Sequence, residues 1–176
     1  MDQEKFQNLV LYILKNPSYQ EGGIKKLNKL LYFIDFYFYK DHERLITDAK
    51  YAKAQMGPVV DDYKIVFEKI VSNGLMELSE KDLPYIEYLP KKNCDLSVFS
   101  SEEIKHVDAV LERYGKLTSA ELEGISHEQQ PWVLTENFGE IIDPDLALLI
   151  DDSPQDEVEI RDEKLKEELV DLASAV

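Results

Sequence analysis

The residues able to do chemistry are few and poorly matched to one another. His127 and Glu128 form the first half of the zinc-protease pattern His-Glu-x-x-His, but Pro131 stands where the second imidazole is required. The other histidines, His42 and His106, are far away in sequence, and no spacing matches a metal site. Cys94 paired with His127 would be a nucleophile and its base. However, Cys94 lies between Asn93 and Asp95, where negative charge raises a thiol pKa, and a lone cysteine is more often inert. Gly57-Pro58 lacks the glycine run and the Lys-Ser/Thr of a phosphate loop, so a turn into a new element is the plainer reading. Lys25, Lys26 and Lys29 read as a solvated helix face or a cationic rim. Trp132, the only tryptophan, reads equally as a cap on the core or as a partner-facing anchor. The residues themselves call for no cofactor and no metal.

The elements that must position these groups are mostly helical. Phe6, Leu9, Val10 and Ile13 recur at helical spacing and predict a helix over Gln3 to Lys15, stopped by Asn16 and Pro17. Ile24 to Tyr39 is apolar nearly all round, which requires burial and makes it the expected central helix. A third helix is expected over about Val60 to Ser72, with Pro58 near its first turn and Gly74 as a left-handed stop. Leu45 and Ile46 read as a short strand or a turn, and residues 75–99 as a small β unit. Ser100 with Glu103, and Thr118 with Glu121, are spaced as capping boxes opening two further helices. Val133 to Ile142 reads as a short helix or extended, and Pro144 to Ile150 as a brief apolar helix. The fold expected is mainly α: a compact helical bundle around a central apolar helix, with a small β-wing or hairpin.

Composition narrows the function. With 176 residues the chain can bury a core without disulfides, and one domain over 1–150 is expected. Residues 151–176 form an acidic tail, with Leu165, Leu169 and Leu172 at the spacing of a narrow helical stripe. A net charge of −16 argues against binding a nucleic-acid backbone. No segment has the roughly 20 apolar residues of a membrane span, the first residues lack a secretory pattern, and the single cysteine fits a reducing compartment. A cytoplasmic protein is the expectation.

Three separated segments, KLNKLLYFIDFYFY, GPVVDDYKIVF and LTSAELEGISHEQQPW, together resemble the SocA-like antitoxin domain, also called Panacea or GepA-type. The matching positions are Lys26, Leu27, Lys29, Leu30, Leu31, Tyr32 and Phe33 in the first, then Gly57, Pro58, Val59 and Tyr63, then His127, Pro131 and Trp132. The resemblance covers about residues 5 to 135; the tail departs from it. It implies an all-helical core with a small β element. It also implies a protein that neutralises a toxin encoded beside it by direct binding, in a toxin–antitoxin or phage-defence module. The alternative is an adaptor that hands its toxin to a cytoplasmic protease. An enzyme centred on His127 is a third reading, which needs an open cleft and a carboxylate beside the imidazole. Phe36, Tyr37 and Tyr39 mark a partner groove if they lie exposed beside Gly57 and Trp132; if they are buried, the partner site lies elsewhere.

Overall fold

The central helix, α2 (Ile24–His42), is buried without a break from Lys26 to Phe38. A helix with no polar stripe needs cover on every side, and the rest of the chain supplies it. In this computed structural model, which describes residues 1–20 and 22–151, α2 packs against α1 (Gln3–Lys15), α4 (Ser101–Tyr114), α5 (Ser119–Glu128) and the 3-10 turn Pro144–Leu149. The expected tail helix lies outside the described residues.

Local signals explain the helix ends. Asp2 turns its carboxylate onto the N–H groups of Glu4 and Lys5, both at 3.1 Å, to open α1. Both expected capping boxes are formed, Ser100 with Glu103 on α4 and Thr118 with Glu121 on α5. Gly74, at φ +69°, follows the last turn of α3 (Tyr63–Ser72).

Two small antiparallel pairs complete the fold. Strands β3 (Met76–Leu78) and β4 (Tyr88–Pro90) form the expected hairpin, with Glu77 opposite Leu89. Strands β1 (Tyr51–Ala52) and β2 (Val59–Val60) pair Tyr51 with Val60, and Ile141 adds a bridge to Ala52. The architecture is mainly α with small β hairpins, as expected.

Four expectations are corrected or resolved. The third helix begins at Tyr63, not Val60, because the Val60 N–H donates to Asn28 Oδ1 at 2.9 Å and holds Val59–Val60 as a strand. Pro58 therefore precedes a strand and not a helical turn. The segment at Leu45–Ile46 is a turn, fixed by Ile46 and Thr47 N–H groups donating to Asp35. Residues 133–142 are the end of α6 (Gln130–Leu134), then a turn over 137–139, and then a short run along β1 through the Ile141 bridge.

Candidate functional site: where the motif residues meet

Lys29 leaves the middle of α2 toward the Ala54–Gly57 turn, which is closed by Gly57 N–H donating to the Ala54 carbonyl at 3.0 Å. Gly57 sits at φ +90°, and a Cβ there would stand 2.6 Å from Ser126 Oγ on α5 and 2.9 Å from Lys29 Cε. The glycine thus lets the turn press onto the lysine stem and α5 at once. Lys29 is 1% exposed, and burial pushes its ammonium down to about 8, against the pull of the Glu123 carboxylate.

His127 closes the other side. Its ring stacks on Trp132 with centroids 4.0 Å apart. Trp132 donates from Nε1 to the Ala54 carbonyl at 3.4 Å, and its face carries the Lys53 ammonium at 4.2 Å. Lys53 is buried and donates to the Thr135 carbonyl at 2.6 Å. Burial depresses the His127 pKa; Glu123 opposes this, and Lys29 and Lys53 reinforce it. His127 Nε2 is buried and has no hydrogen-bond partner among the described residues.

Lys29, Gly57, His127 and Trp132 therefore meet, with Pro58, Val59 and Pro131 flanking them. Pro131 is buried, and its carbonyl accepts the Thr135 hydroxyl at 2.7 Å. Of the remaining motif residues, Leu27, Leu30, Leu31 and Phe33 are core, and Lys26, Tyr32 and Tyr63 lie apart from this knot. Lys26 is 0% exposed, donates to the Gln20 carbonyl, and sits over the Tyr19 ring. Tyr32 is 0% exposed, edge-on to Tyr51, and its hydroxyl has no partner among the described residues. Tyr63 is half-buried against the core at the start of α3.

The solvated-face reading of the lysines fails for Lys26 and Lys29, since only Lys25 is exposed. Long apolar stems let both charged side chains serve as packing material. The aromatic question is also resolved: Phe36 and Tyr37 are buried, and half-buried Tyr39 donates to Asp145. They line no groove beside Gly57 and Trp132.

Sequence reasoning missed three contributors. Lys53 and Ser126 carry no local signal, since their roles come from tertiary approach. Asp35 did carry one, as the lone acid in the apolar run from Ile24 to Tyr39. It is fully buried and accepts from Ile46 N–H at 2.9 Å, Thr47 N–H at 3.0 Å, the Thr47 hydroxyl, and Tyr51 Oη at 2.8 Å.

Chemically, the knot is a closed cation–aromatic cluster. General-base catalysis asks for an imidazole facing its substrate and oriented by a third group. Here the imidazole face is covered by an indole and Nε2 points into protein. Among the described residues no three of His, Cys, Asp or Glu gather as they would around a metal ion, and no helix is long and apolar enough to cross a membrane.

The described residues thus wrap one buried helix, with Lys29, Gly57 and Pro131 packed inside and His127 and Trp132 half-buried at the edge. The chain belongs to the antitoxin SocA-like, Panacea domain family, whose pattern matches residues 27–133. No curated protein and no solved structure matches it.

Proposed function

We propose that this domain is an antitoxin that neutralises a cognate toxin by direct protein–protein contact in the cytoplasm. The observation that carries this reading is the family match, which runs from α2 through α6 and so takes in the whole motif knot. The inward packing of Lys29, Gly57 and Pro131 supports it, because those residues hold the scaffold and leave recognition to other surface. The net charge of −16 suits a basic partner, such as a toxin that acts on RNA, and speeds encounter with it. Turnover at His127 is not part of this reading, nor is direct binding of nucleic acid or membrane.

The test is co-expression with the protein encoded beside it. Toxicity of the neighbour alone, relieved by this chain with the toxin still intact, is the expected result. A harmless neighbour would overturn the proposal, and toxin that disappears in a protease-dependent way would replace it with the adaptor reading.

A further inference from the structure

The segment after Trp132 is apolar on two faces. One face is spent on the core: Ile142, Ala147 and Ile150 are 1%, 0% and 6% exposed. The other apolar side chains of the segment, Val133, Leu134, Phe138, Ile141, Leu148 and Leu149, stand in solvent, with Phe138 at 65%. Scattered apolar side chains on a surface are ordinary, but a contiguous set is not. Here all six fall within residues 133–149. Helix α6 packs on the 3-10 turn that carries Leu148 and Leu149, and the Lys53 ammonium lies near both the Trp132 ring and the Phe138 ring, at 4.2 and 5.8 Å.

The region is also anchored. Lys53 N–H donates to the Glu140 carbonyl at 2.9 Å, Gly139 N–H to the Lys53 carbonyl at 2.8 Å, and Ile142 N–H to the Tyr51 carbonyl at 2.8 Å. A patch fixed to β1 loses little further freedom when it is covered. Its rim is acidic, with Glu136, Glu140, Asp143 and Asp145 all exposed.

We propose that this acid-rimmed apolar patch is the surface that docks the toxin, and that the toxin meets it with an apolar knob or groove fringed by Lys and Arg. The proposal rests on the antitoxin reading. Charge selects the occupant. A second copy of this chain would bring two acidic rims together, and the acid-rich segment 152–176 would meet the same repulsion. A basic-rimmed partner gains from the rim that they oppose.

The experiment measures affinity of the full chain for the purified product of the neighbouring gene by calorimetry. It uses wild type, Phe138→Asp, Leu134→Asp, the charge reversal Glu136→Lys with Glu140→Lys, and Ile65→Asp on α3. Ile65 is 66% exposed and lies outside the patch, so it controls for a new surface charge. The mutated side chains of the patch are at least half exposed or charged, and circular dichroism checks that each variant folds. The expected result is a loss of at least tenfold for both apolar variants and the reversal, with Ile65→Asp unchanged. Wild-type binding that all patch variants share overturns the surface while leaving the antitoxin reading in place. Absence of wild-type binding overturns both. Wild-type dimers in sedimentation that Phe138→Asp splits, with toxin binding unchanged, make the patch a self-interface and also overturn the proposal.

Discussion

Among single residues, two buried polar positions and one glycine set the terms. Asp35 is pushed up to about 6 by burial, against four hydrogen bonds that favour its ionised form. Its folded value lies above the ordinary 3.8, so the native state binds the proton more readily, and stability from this group rises as pH falls from about 6 toward 4. Asp35→Asn removes that rise; Asp35→Ala strands four donors and is expected to cost about 4 kcal/mol in urea unfolding at pH 7. Lys29 has the reverse alkaline signature. Its folded value near 8 lies below the ordinary 10.5, so the unfolded chain holds the proton longer and stability rises between those values. Lys29→Met should abolish that rise relative to wild type and raise stability at pH 7 by on the order of 1–3 kcal/mol. Gly57 and Gly74 both have positive φ, but only Gly57 has side chains within reach of an added Cβ. Gly57→Ala is expected to cost about 3 kcal/mol against about 1 for Gly74→Ala, a contrast read from thermal midpoints.

At the scale of elements, the first turn of α4 ties three parts of the chain together. Glu103 is 1% exposed, caps the Ser100 N–H at 2.9 Å, and accepts from Lys5 on α1 and Arg44 after α2, both at 2.7 Å. Burial alone would raise its pKa; the bonds from Lys5 and Arg44 outweigh this and hold it below the ordinary 4.5. Its stabilisation is therefore present above about pH 4.5 and lost as pH falls through the lower folded value. Glu103→Ala should cost about 2–3 kcal/mol in urea unfolding, whereas Glu121→Ala, which breaks only the exposed box on α5, should cost clearly less. These elements were legible because their signals are local. The period of α1, the width of the apolar stripe on α2 and the Ser-x-x-Glu spacing of α4 need nothing from outside their own segments. Strands β1 and β2, two residues each, were not legible, because Asn28 and the 139–142 segment hold them from a distance. The burial of Lys26 and Lys29 was hidden for a related reason: a lysine reads as solvent until the partner of its stem is known.

At the scale of the whole molecule, the motif residues that carry the family match and the surface proposed for recognition are different sets. The match covers residues 27–133 and takes in the knot around Lys29, Gly57, His127 and Trp132. The exposed apolar residues begin at the last matched position, Val133. Such a division lets one scaffold keep its fold while the face that touches a partner changes. Trp132 joins the two, half-buried between His127 and Lys53 at the edge of the patch. The proposed mode of action is neutralisation by contact. Its most direct measurement is the activity of the purified neighbouring toxin in a reaction that contains no protease, titrated with this protein. We expect inhibition that is complete near equimolar protein, with the toxin intact on a gel and active again once the complex is dissociated. Full toxin activity in excess antitoxin, with inhibition appearing only when a protease is added, would contradict the account.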